Sequence, residues 1–156
     1  MIAATLLALL ALASLTLGWI DICRGIIPDW LNLLIALAGL AWAWLLDGWG
    51  ALVAAALEGL AIGAIVFLLR WLYFRFRAHH GLGLGDVKLL AASAVWIGVA
   101  GIPIQLLVAS ITALIAAVAL HVTGRTMTRR TALPFGPFLA LGLLATLVLQ
   151  QQGWMV

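Results

Sequence analysis

Asp21 and Asp86 are two carboxylates set far apart in a 156-residue chain that contains only five acidic residues. Brought around one water, two such groups cannot easily both ionise, so one keeps its proton while the other serves as a base. That division suits aspartyl proteolysis. The base takes a proton from water as it attacks a peptide carbonyl; the acid protonates the carbonyl oxygen and later helps the amine leave. Asp86 closes the stretch GLGLGD, where Gly83 and Gly85 carry no side chain to keep a substrate backbone away from the acid. Aspartate is also a favoured helix N-cap, so capping and catalysis both stay open at Asp86, and they are compatible.

Pairing these acids requires elements that bring both to one level. The chain is 67% hydrophobic and 8% charged, against roughly half and about a quarter in a soluble domain. Apolar stretches able to cross a hydrocarbon core of about 30 Å follow one another with short polar breaks. Six helices are predicted, at about Ile2 to Ile20, Leu31 to Leu46, Ala51 to Phe74, Val87 to Ala100, Ile102 to Val122 and Leu133 to Leu149. Breaks are expected at Gly25 with Pro28 and Asp29, at Asp47 with Gly48 and Gly50, over Gly81 to Gly85, at Gly101 with Pro103, and at Gly124. The expected architecture is therefore all-α: a polytopic integral membrane protein of about six transmembrane helices, forming a single domain over residues 1–156. No basic residue precedes the first apolar stretch and no small-residue cleavage site follows it, so it reads as a retained span. The fourth span is short, rising about 21 Å, so either Pro103 interrupts a longer helix or the bilayer thins there.

Basic residues occupy alternate breaks: Arg24 in the first, Arg70, Arg75, Arg77 and Lys88 around the third, and Arg125, Arg129 and Arg130 in the fifth. By the positive-inside rule these breaks face the cytoplasm and both termini lie on the outer side. Asp21, ending the first span, and Asp86, beginning the fourth, then share the cytoplasmic boundary. Trp19, Trp30, Trp71 and Tyr73 fall near the inner interface and Trp49 and Trp154 near the outer one, while Trp42, Trp44 and Trp96 read as packing or lipid contacts. Asp47 reads as a solvated turn acid, and Glu58, about two turns inside the third span, as a helix-packing or hydrogen-bonding group facing protein. Asp29 follows Pro28 in a good turn and helix start, although it could also support the site or replace one of its acids. Arg24 and Lys88 read first as interfacial cations, with carboxylate or loop positioning as the alternative. His79 and His80 read as loop residues, and Pro134, Gly136 and Pro137 as shaping the start of the sixth span.

The net charge of +3 would suggest nucleic acid in a soluble protein; here its placement follows topology, and no nucleic-acid partner is expected. Cys23 is the only cysteine, which rules out an internal disulfide and a multi-cysteine zinc site. No metal or cofactor is expected.

Three stretches carry a family resemblance: DICRGIIPDWLN from Asp21, GLGLGDVKLLAASAVWIG from Gly81 and LPFGPFLALG from Leu133. Together they resemble the bacterial type IV prepilin peptidases, membrane aspartyl proteases with a Gly-x-Gly-Asp signature, here Gly83-Leu84-Gly85-Asp86. The resemblance implies Asp21 and Asp86 as the catalytic pair, with Gly83, Gly85, Pro28 and Asp29 as motif positions around them; Lys88, next to the motif, is taken as a further supporting position. It implies a prepilin or pseudopilin substrate whose basic leader stays in the cytoplasm and whose apolar helix lies in the bilayer, with cleavage between them, usually after glycine. Larger family members carry an added cytoplasmic region, often with paired CxxC motifs, and methylate the new N-terminal amine. This sequence shows neither, so the expectation is peptidase without methyltransferase activity; a naturally short member and a trimmed catalytic core both fit. The competing class is a small membrane transporter or proton-coupled factor, since acids at span ends and glycine-broken helices also line transport pathways.

Overall fold

The computed structural model describes residues 1–77, 83–122 and 134–153, and everything regular in it is helical. Helix α1 spans Ile2–Arg24, α2 Asp29–Arg77, α3 Leu84–Val122 and α4 Gly136–Gln151. Among the described residues, α1, α2 and α3 are long and apolar enough to cross a membrane. His79, His80, Gly81, Gly124, Arg125, Arg129, Arg130 and Trp154 lie outside the described residues.

Two of the helices are broken by glycine. Gly48 in α2 adopts φ 78° and ψ −162°, and Gly98 in α3 adopts φ 69° and ψ 172°, conformations that cost a side-chain-bearing residue heavily. Each break folds the chain back on itself. Segment 29–47 runs alongside 84–97, with Asp29 beside Lys88 and Gly39 beside Trp96. Segment 49–77 runs the opposite way along the same partner, with Glu58 beside Gly98 and Gly63 beside Ala91. Segment 99–122 returns along 84–97, so that Gln105 meets Ser93.

The second break falls where turn chemistry predicts, but the fourth falls at Gly98 rather than at Gly101 and Pro103. Proline is tolerated near the start of a helix, where few backbone N–H groups have partners, so Pro103 does not stop segment 99–122. The Gly98 break is stitched by side chains from two other elements. Glu58 Oε2 accepts a 3.0 Å bond from the Val99 N–H, and Gln150 Nε2 donates at 2.8 Å to the Ile97 carbonyl. These contacts satisfy backbone groups that a helix end leaves open, and they give Glu58 a specific partner.

Between helices in lipid there is little hydrophobic drive, so small residues and polar contacts must hold the bundle together. A Cβ on Gly39 would lie 2.8 Å from the Trp96 indole nitrogen, and one on Gly142 would lie 2.5 Å from the Gln105 carbonyl oxygen. Trp96 donates from Nε1 to the Ile35 carbonyl at 2.8 Å and stacks obliquely on Trp42, ring centroids 5.7 Å apart. Gln105 Nε2 reaches both Ser93 Oγ and the Leu139 carbonyl, tying α3 to α4 in the dry interior. The start of α1 lies beside residues 42–46, and the end of α4 lies beside Ile97. Both helix ends thus share one end of the bundle with the two glycine breaks, and the acids Asp21, Asp29 and Asp86 occupy the other.

Candidate active site

α1 ends at Gly25, a left-handed C-cap whose N–H donates to the Asp21 carbonyl at 2.7 Å. This places Asp21 in the last helical turn, with only 5% of its surface exposed. Its Oδ2 accepts a 2.9 Å hydrogen bond from the Gly136 N–H at the start of α4. Asp86 stands in the first turn of α3, half-buried, and lies within electrostatic reach of Asp21. Two acids from separate helices therefore sit at one end of the bundle, Asp86 within the field of Asp21.

The glycines around them are required by packing. A Cβ on Gly85 would lie 2.7 Å from Ile27 Cβ, and one on Gly136 would lie 2.6 Å from Asp21 Oδ2 and 3.0 Å from Ile27 Cδ1. Ile27 therefore wedges between the strip that carries Asp86 and the backbone that holds Asp21. Gly83 stands just before α3, and a Cβ there would approach Asp86 Oδ2 to 3.0 Å. Gly83 itself is exposed.

Pro28 stands immediately before α2, and its carbonyl accepts from the N–H groups of Leu31 at 3.2 Å and Asn32 at 3.4 Å. Asp29 in the first turn pairs with Lys88 Nζ at 2.7 Å, both side chains largely exposed. A pair so exposed is worth little to stability, on the order of 1 kcal/mol or less. Its effect is to pin α2 to the start of α3, so Lys88 holds a neighbouring acid rather than either member of the candidate pair.

Sequence reasoning missed the Gly136 N–H and the Ile27 wedge. The first had a legible signal. In Pro134-Phe135-Gly136-Pro137 both prolines lack an N–H, so Gly136 offers one of the few donors at the start of α4, where no backbone acceptor can reach it. The second had none, because an isoleucine in an apolar chain carries no mark of its neighbours.

The model of the Type IV leader peptidase family matches residues 8–118, a window that contains both Asp21 and Asp86. A Burkholderia pseudomallei protein named prepilin leader peptidase/N-methyltransferase is 40% identical over 144 residues, covering 88% of this chain and 44% of that protein. Proteins of the same name from Aeromonas salmonicida and Legionella pneumophila are 34% and 36% identical over 83% and 90% of this chain, covering 46% and 49% of theirs. The chain spans about half the length of the curated relatives it matches. No solved structure matches it. These comparisons give the transporter alternative no support.

Proposed function

The chain belongs to the type IV leader peptidase family, and from that premise we propose that it is a membrane aspartyl endopeptidase. Its substrates are type IV prepilins or pseudopilins, from which it cuts the basic leader at the cytoplasmic face of a bacterial inner membrane. The observation that carries this reading is the meeting of Asp21 and Asp86 at one end of the bundle, one buried and one half-buried, with Gly83 and Gly136 packed directly against their carboxyls.

In this mechanism the ionised carboxylate removes a proton from water, and the oxygen attacks the scissile carbonyl carbon while the protonated carboxyl gives its proton to the carbonyl oxygen. The tetrahedral diol then collapses. The first carboxyl, now protonated, delivers its proton to the leaving nitrogen; the second recovers one from a diol hydroxyl; and the C–N bond breaks to a leader carboxyl and a new amine. The Gly136 N–H fixes the Asp21 carboxyl throughout, and Gly83, Gly85, Pro28, Asp29 and Lys88 support the geometry around the pair.

In this reading the four helices form one transmembrane domain over residues 1–156, with six crossings made by chain reversals at Gly48 and Gly98. The common location of the start of α1 and the end of α4, together with basic residues at the opposite end, supports both termini on the outer side.

The test uses the purified chain in lipid and a synthetic prepilin with glycine before its apolar segment, the products being weighed by mass spectrometry. Scission after that glycine supports the reading. No scission, or scission inside the apolar segment, contradicts it.

A further inference from the structure

Segments 29–47, 49–77 and 84–97 enclose an open groove of about 590 Å³ that the chemistry above does not use. Leu33, Leu60 and Val95 help to line it, and Asp29 and Lys88 stand at one end. Lys88 is two residues from Asp86 on α3, so the groove begins at the level of the candidate catalytic pair, on another side of that helix, and runs from there along the bundle. From Asp29 to Leu40, the α2 residues that line it span about 16 Å at 1.5 Å per residue. Beyond that charged end the described wall is apolar except at one residue. Asn32 lines the groove, is 5% exposed, and has neither Nδ2 nor Oδ1 hydrogen-bonded among the described residues.

A buried carboxamide with both ends free is costly, and most buried polar groups find partners. What would satisfy it must offer an acceptor and a donor together. A lipid acyl chain offers neither. An intact helix offers little, since its backbone groups bond one another. An unwound peptide offers both: its C=O accepts from Nδ2 and its N–H donates to Oδ1. Such a peptide is what cleavage near a membrane creates, because a bond presented to two acids must leave the helix, and its freed backbone groups need partners where water is scarce.

We propose that this groove receives the unwound, apolar stretch of the substrate on the membrane side of the scissile bond, and that Asn32 pairs with one of its peptide groups. The inference rests on the peptidase reading. In it Asn32 is a substrate-binding residue, and the Asp29–Lys88 pair marks the entrance to the groove.

The probe is a synthetic prepilin peptide with a basic leader, a glycine and an apolar segment, presented to the full chain in lipid nanodiscs. Asn32→Leu, which keeps the shape and removes both polar atoms, is expected to raise KM about tenfold with kcat within about twofold, while thermal stability is unchanged or higher. A series of ester-for-amide peptides completes the cycle: one ester position is expected to weaken binding to the wild type and to have no further effect in Asn32→Leu. An unchanged KM, or no such position, overturns the proposal. Should Asn32→Leu fail to fold, a photoreactive benzoylphenylalanine at Leu60 in an Asp21→Asn background reads occupancy directly. Crosslinks to the apolar stretch support the groove, whereas crosslinks to lipid alone overturn it. If the wild type does not cut yet the crosslink forms, the peptidase reading fails and the groove stands. Cutting with neither crosslink nor Asn32 effect gives the reverse.

Discussion

Gly136 sits where a single added methyl would collide with chemistry. Its Cβ would stand 2.6 Å from Asp21 Oδ2, and its N–H is the donor to that same oxygen. Gly136→Ala must therefore push the carboxyl or the start of α4 aside. Losing one hydrogen bond to a carboxylate corresponds to about a tenfold to hundredfold fall in kcat. Kinetics on detergent-purified variants, with folding followed by circular dichroism, check this; a Gly136→Ala enzyme with wild-type kcat would show that the contact is incidental. Residue chemistry was the most legible layer of the sequence. Acids are rare in so apolar a chain, and each must have a reason to be there. Asp21 and Asp86 stood out by type and position, whereas the donor that holds Asp21 belongs to a glycine backbone, which side-chain motifs do not display.

The helices meet the site through their breaks. Gly98 has a positive φ, so Gly98→Ala is expected to cost about 1–2 kcal/mol from backbone strain, with a further cost because its Cβ would lie 2.9 Å from Glu58 Oε2. Glu58→Leu leaves the Val99 N–H without its acceptor and should destabilise by a similar amount. Thermal unfolding in one detergent compares the two; because both act on one junction, the double variant should lose less than the sum of the singles. Additive losses would mean that Glu58 and Gly98 act independently. Helix breakers were readable to within a few residues: Gly48 fell inside the expected break, while Gly98 displaced Gly101 and Pro103. A glycine announces that a left-handed turn is possible, but which of several glycines turns depends on partners such as Glu58 and Gln150 that arrive from elsewhere in the chain.

At the scale of the whole molecule, Asp21, Asp29 and Asp86 lie at one end and the start of α1 and the end of α4 at the other. Cysteines introduced at Met1 and Gly153 in a Cys23→Ser background are expected to react with a membrane-impermeant maleimide added to intact spheroplasts, and one at Arg75 to react only after lysis; the reverse pattern would invert the proposed orientation. The all-helical fold was plain from composition, since a chain this apolar must satisfy its backbone within its own helices. The pairing of segments was not, because apolar side chains on lipid-facing and protein-facing sides look alike in sequence; only the small residues and polar contacts at Gly39, Trp96, Gln105 and Ser93 distinguish them. The central claim is that Asp21 and Asp86 act as one unit on one water. Initial rates of prepilin cleavage by Asp21→Asn, Asp86→Asn and the double variant test it most directly. Each single change is predicted to lower kcat by at least about a hundredfold, and the double no further than the worse single, because groups that act together fail together. Near-normal cleavage by either folded single variant, or losses that multiply in the double, would contradict the claim.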